Sequence, residues 1–174
     1  MEASFITWFP RLAKFYGDVA SELFARNAIL QTFFPGLQFC AAMLNLGERS
    51  ASDWHVDSKN LAFGVCCIVA FGSFNHRTSA QIMLQEPKAI MELRRGDVFF
   101  CPSGSVTHRS APIVGAGSRQ VMVFYSAAGL FRWVNQGHKK AAADSIEDEG
   151  QGNRRWQAGV GLFSRWSELI NISG

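Results

Sequence analysis

The chain has 174 residues, 48% hydrophobic and 18% charged, and 17 basic against 14 acidic side chains leave a formal net charge of +3. That length suits one domain with a sizeable core, and the composition excludes a disordered chain. The charge is too mild to demand a polyanionic partner, no run of about 18 apolar residues offers a membrane span, and MEASFITWFPRLAKFYG lacks the pattern of a secretory signal, so an intracellular protein, nuclear or cytoplasmic, is expected.

At the N-terminus, Trp8, Leu12, Phe15, Val19 and Leu23 recur three or four residues apart, with Arg11, Lys14, Asp18 and Glu22 on the opposite side. This spacing predicts an amphipathic helix over 8–30, closed by the breaker run Phe33-Phe34-Pro35-Gly36. The pattern then changes. Short apolar segments at 38–46, 61–72, 80–84, 89–93, 97–102 and 118–127 are separated by GERSASD, SFNHRTS, EPK, RRGD, SGS and VGAGS, which are turn compositions. Strands at intervals of about ten residues, with no room for helices between them, predict a mainly β sandwich or jelly roll rather than a parallel α/β sheet.

Beyond the strands, GLFRWVNQG reads as a short helix or turn, and residues 139–155 (KKAAADSIEDEGQGNRR) read as a polar linker. Acidic residues between Lys139-Lys140 and Arg154-Arg155 make these pairs solvated linker charge rather than a nuclear signal. Trp156, Val160, Phe163, Trp166 and Ile170 then predict a C-terminal amphipathic helix weakened by two glycines. The expected organisation is a helical support over 1–36, a β core over 37–135, and a linker with a closing helix over 136–174. The four cysteines, Cys40, Cys66, Cys67 and Cys101, form no CxxC pair; adjacent Cys66 and Cys67 on a strand would face opposite sides, which reads as buried thiols.

The chemistry concentrates in DWHVDSKNLAFG, at Asp53–Gly64. On a strand, positions i and i+2 share a face, so His55 and Asp57 can share one cation. A third ligand must come from elsewhere, and His108 stands 51 residues past Asp57, in SGSVTHRS. Two histidines and a carboxylate with open coordination positions make the facial triad of non-haem Fe(II) oxygenases. Iron of this kind works with an oxo-acid cosubstrate, usually 2-oxoglutarate, whose distal carboxylate calls for a planar bidentate cation. Arg119, eleven residues past His108 and at the head of the last strand, meets that need. His76 and His138 have no ligand partner at i+2 and read as surface histidines.

These residues carry a resemblance. LNLGERSASDWHVDSKNLAFG, FGSFNHRTSAQIML, LRRGDVFFCPSGSVTHRSAPI and SRQVMVFYSAAGLFRWV, within residues 37–135, resemble the double-stranded β-helix (jelly roll) of the Fe(II)/2-oxoglutarate dioxygenases, most of all the TET/JBP-like branch found in fungal genomes. The resemblance implies a jelly roll with a leading amphipathic helix and a C-terminal helix. It implies His55, Asp57 and His108 as iron ligands and catalytic centre, Arg119 as the 2-oxoglutarate anchor, and molecular oxygen as the other cosubstrate. It further implies that Asn60, in HxDxxN, reads the exocyclic amine of a cytosine and that Tyr125 stacks on a flipped base. Three positions depart from the pattern: Val121 where relatives often have a hydroxyl, Ala127 where some have a histidine, and Ser79-Ala80 where a glycine pair is common.

The expected function is oxidation of a methylated base such as 5-methylcytosine in DNA or RNA, with Arg49, Lys59, Arg77 and Arg109 as candidate phosphate contacts. The alternatives are a 2-oxoglutarate-dependent hydroxylase of a protein side chain or small metabolite, and an inactive metal-binding jelly roll. Asp53 is either a turn residue or an acceptor that orients His55.

Overall fold

The computed structural model describes residues 1–30, 34–139 and 149–170. In chain order the elements are α1 (Glu2–Trp8), α2 (Pro10–Arg26), β1 (Ala41–Asn45), β2 (Ser52–His55), β3 (Cys66–Ser73), β4 (Ile82–Leu84), β5 (Ala89–Met91), β6 (Val98–Cys101), β7 (His108–Ser110), β8 (Ser118–Tyr125), α3 (Ala128–Asn135), α4 (Glu149–Val160) and α5 (Trp166–Ile170). They fall into two units, a helical one from Met1–Cys40 with Ala127–Gly174 and a β unit of Ala41–Ser126.

In the helical unit the anticipated N-terminal helix is two helices. Proline cannot continue a helix but is well placed to begin one, so the chain breaks at Phe9 and Pro10 opens α2. Trp8, on the far side of that break, is exposed and stacks on Trp166 instead of joining the buried stripe. That stripe is Leu12, Tyr16, Val19 and Leu23, with Phe131 of α3 stacked on Phe15 and tilted against Tyr16. Helix α2 ends at Arg26, short of the expected 30, and Phe33 of the breaker run lies outside the described residues. The polar stretch 139–155 is not all linker. Residues 140–148 lie outside the described set, but from Glu149 the chain is already helical. Nor is the C-terminal helix continuous: α4 stops at Val160, Gly161 opens a turn, and α5 is a separate short helix tied back by Glu168 to Arg11 at 3.0 Å.

The β unit consists of two four-stranded antiparallel sheets, β1-β8-β3-β6 and β2-β7-β4-β5. The chain passes from one sheet to the other at almost every connection, which is the winding of a jelly roll. With the helices at both chain ends, the fold is the mainly β jelly roll expected. Strand β3 is central in its sheet, paired along both edges with β6 and β8, and side chains on both its faces are buried. Hence Cys66, Ile68 and Ala70 enter the core from one face while Cys67 is buried on the other. The core is completed by Ile82 of β4, Leu93, Cys101 of β6 and Val121 of β8. Each aliphatic side chain buried there contributes on the order of 2 kcal/mol.

Two strands lie outside the six apolar segments and carry the histidines. β2 (SDWH) and β7 (HRS) are too short and too polar to show an apolar alternation, yet they pair with each other and place His55 directly across from His108.

Candidate metal centre

The two histidines, His55 exposed and His108 buried, meet because β2 and β7 are neighbours in one sheet. Their rings stand 4.3 Å apart, centroid to centroid. Each ring nitrogen Nδ1 meets a backbone carbonyl two residues upstream: His55 to Asp53 at 2.7 Å and His108 to Val106 at 2.9 Å. A carbonyl can only accept, so in the neutral imidazoles Nδ1 carries the proton and Nε2 presents its lone pair. The orienting group for His55 is therefore the main chain of Asp53, not the carboxylate considered from sequence.

Asp57 lies just past the end of β2, in a turn rather than on the strand. Its N–H donates to the Ser103 carbonyl at 2.8 Å, and its Oδ1 stands 3.8 Å from His55 Nε2. Its other oxygen, Oδ2, accepts from the Asn60 amide at 3.2 Å, and that amide also donates to Ser103 Oγ at 3.3 Å. One face of the carboxylate is thus held and the other is turned toward the histidines. Ligand atoms of His55, Asp57 and His108 all lie within 4.8 Å of one another. Thr107, immediately before His108, donates its N–H and hydroxyl to Glu86, and these bonds keep the Glu86 carboxyl below its usual range.

Arg119 is 1% exposed, and burial pulls its pKa below the ordinary arginine value. Its backbone is clamped by residues 48–50, through Arg119 N–H to the Glu48 carbonyl at 2.7 Å and Ser50 N–H to the Arg119 carbonyl at 3.2 Å. One guanidinium nitrogen donates to the Ser50 carbonyl at 3.0 Å, whereas Nε is buried with no acceptor. Among the described residues no carboxylate pairs with it. A desolvated cation with an unspent donor is costly unless an anion joins it.

A cavity of about 130 Å³ connects these groups, lined by His55, Asp57, His108, Arg119, Cys66 and Val121 among others. Asn45, Ser50, Ser52 and Ser110 add polar groups to its wall. None of these four stood out in the sequence; Asn45 faces Val121 directly across the β1–β8 ladder, a pairing that only the register reveals. A second cleft, of about 300 Å³, is lined by Val56, Lys59, Asn60 and Tyr125, with Met43, Asp57 and Val123 shared by both. The two hollows therefore meet at Asp57.

The residues present fit a divalent first-row metal with an oxo dicarboxylate. Two Nε2 lone pairs and one carboxylate oxygen converge, and Arg119, whose Nε is unsatisfied, lines the same cavity. Of the other cations noted in the sequence, Arg49 donates to the Ile113 and Gly115 carbonyls, and Arg109 lies 5.0 Å over the Trp54 ring with Nε on Met83 sulfur. Lys59 lines the cleft. His138 is not a surface histidine: its side chain is 12% exposed and pairs with Glu22 at 3.1 Å in the helical unit.

No family model matches the chain, and no curated protein matches it. Among solved structures it is similar to NgTET1 in complex with 5mC DNA, at 17% identity and TM-score 0.46, over 53% of this chain and 36% of that one. It is also similar to protein NMB1881 from Neisseria meningitidis, at 20% identity and TM-score 0.30, over 49% of this chain and 70% of that one. An RmlC-like cupin from Shewanella frigidimarina is similar at 16% identity and TM-score 0.29, over 52% of this chain and 70% of that one.

Proposed function

We propose that the chain is an Fe(II)/2-oxoglutarate-dependent dioxygenase of the TET/JBP-like branch that oxidises a methylated nucleobase. The observation that carries the reading is the convergence of His55, Asp57 and His108 beside a buried guanidinium that has no counter-ion. When bound, iron and 2-oxoglutarate supply oxidative decarboxylation: oxygen and the oxo acid give succinate and carbon dioxide, and one oxygen atom enters a substrate C–H bond.

The chain's own residues have four tasks in this scheme. His55 and His108 hold the metal through Nε2, and Asp57 through Oδ1. Arg119 grips the distal carboxylate of the oxo acid, an anion that would satisfy the free Nε. Ile68, Ile82 and Val121 supply the apolar part of the cavity wall, which disfavours water there. In the adjoining cleft Asn60 and Tyr125 receive the base. The Asn60 amide nitrogen is committed to Asp57 and Ser103, so its carbonyl oxygen is the group left to accept from an exocyclic amine. Tyr125 lines the same cleft and offers a ring for stacking.

The apolar share of that cleft, Met43, Val56 and Val123, favours a second reading in which an aliphatic side chain or small metabolite is hydroxylated. Two measurements decide. Succinate release that requires Fe(II), 2-oxoglutarate and oxygen, and disappears in His55→Ala, is the result expected of a dioxygenase. Mass spectrometry of methylcytosine-containing DNA incubated under those conditions should then show an added oxygen; succinate release with unaltered methylcytosine would move the assignment to the second reading.

A further inference from the structure

We propose that Cys66 and Cys101 are an oxidisable dithiol, which a peroxide entering the cavity converts to a disulfide across β3 and β6. The two residues are direct partners in the antiparallel β3–β6 ladder. Opposed residues in such a ladder have Cα atoms about 4.5 or 5.5 Å apart, and both values fall inside the span of roughly 4.4–6.8 Å that a disulfide bridges. Directly opposed side chains also leave the sheet on the same face. The two thiols hydrogen-bond to one another, so they are already turned together.

The neighbours do not compete. Cys67 points to the opposite face, across from Phe100, and so does not meet either thiol. Access is one-sided. Cys66 forms part of the wall of the cavity of about 130 Å³, whereas Cys101 is fully buried and does not line it. A hydrogen peroxide molecule, little larger than the water whose share of liquid volume is about 30 Å³, fits that cavity.

The chemistry then has a fixed order. The Cys66 thiolate attacks one peroxide oxygen, the O–O bond breaks, and the departing hydroxide takes a proton to leave as water, giving a sulfenic acid. The Cys101 sulfur attacks the Cys66 sulfur, the S–O bond breaks, and the Cys101 proton leaves with the hydroxyl as a second water. Two thiols are oxidised by two electrons and one peroxide is reduced. The product would lie close to the candidate metal centre. Ser103, two residues past Cys101, donates its N–H to the Cys101 carbonyl at 2.8 Å, and it holds both Asp57 and Asn60. The proposal requires only the fold and the cavity, not the oxygenase activity.

The test treats the metal-free 174-residue chain with hydrogen peroxide, alkylates the remaining thiols and maps peptides without reduction. Two of the four thiols should disappear, a Cys66–Cys101 peptide should appear two hydrogens lighter than its parts, and dithiothreitol should restore both thiols. In Cys101→Ser the reaction should stop at the Cys66 sulfenic acid, captured by dimedone, while Cys67→Ser should still form the link. Free thiols at both positions after treatment, a link between other cysteines, or Cys66 driven to sulfinic acid with Cys101 present would overturn the proposal.

Discussion

Arg119 occupies a position that stability alone would not choose. Its charge is buried, its pKa is pulled down by desolvation, and its Nε has no acceptor. Replacing such a group by an apolar side chain of similar volume removes the desolvation cost. We therefore expect Arg119→Leu to melt no lower than the wild type in thermal unfolding. Its affinity for 2-oxoglutarate should nevertheless fall by about 100-fold in calorimetry, because the buried charge pair is lost. A variant that unfolds readily, or that still binds the oxo acid, contradicts this account. Asn60 makes a second test. Its amide fixes Asp57 Oδ2, and groups that orient metal ligands typically matter 10–100-fold in metal affinity. Asn60→Ala should weaken metal binding by about 10-fold, whereas a residue that served the substrate alone would leave it unchanged. His55, Asp57, His108 and Arg119 were legible in the sequence because a charge pattern at fixed spacing has few other uses on short strands. The second duty of Asn60 was not legible, since it depends on a turn that brings Ser103, 43 residues away, under the same loop.

Secondary structure was readable where strands carry their own apolar signal and unreadable where the ladder supplies the stability. β3 and β8 are long and apolar and stood out, but β2 and β7 are held by pairing and by Ser110 N–H to Ser52 Oγ at 3.0 Å. Periodicity cannot find a three-residue polar strand. It also missed the Phe9–Pro10 break, where the helical repeat of apolar residues continues across a proline that the backbone cannot cross. The register of β8 against β3 exposes another element that matters to the site. Gly72 lies directly opposite Arg119, has φ +110°, and a Cβ there would meet the Ser118 carbonyl at 2.2 Å. Gly72→Ala should cost about 3 kcal/mol in urea unfolding and displace the head of β8. Wild-type stability in that variant would mean that the β3–β8 approach is looser than described.

For the molecule as a whole, the β unit alone holds every group proposed for metal, oxo acid and substrate. Its jelly-roll winding is what brings residues 45, 55, 108 and 119 around one hollow. That convergence was inferable from spacing, but the meeting of two hollows at Asp57 follows from packing and was not. Ligands that bind only the folded chain stabilise it by mass action, about 2.7 kcal/mol at a concentration of 100 times the dissociation constant. A chelator should therefore lower the melting temperature of the metal-loaded protein, and 2-oxoglutarate should raise it further only while metal is bound. The most direct test of the central claim is anaerobic calorimetric titration of the metal-free chain with Mn(II) as a stand-in for Fe(II). One ion per chain should bind, and binding should vanish in a His108→Ala variant that still unfolds cooperatively; no binding, or binding that survives loss of His108, would mean that these side chains hold no metal.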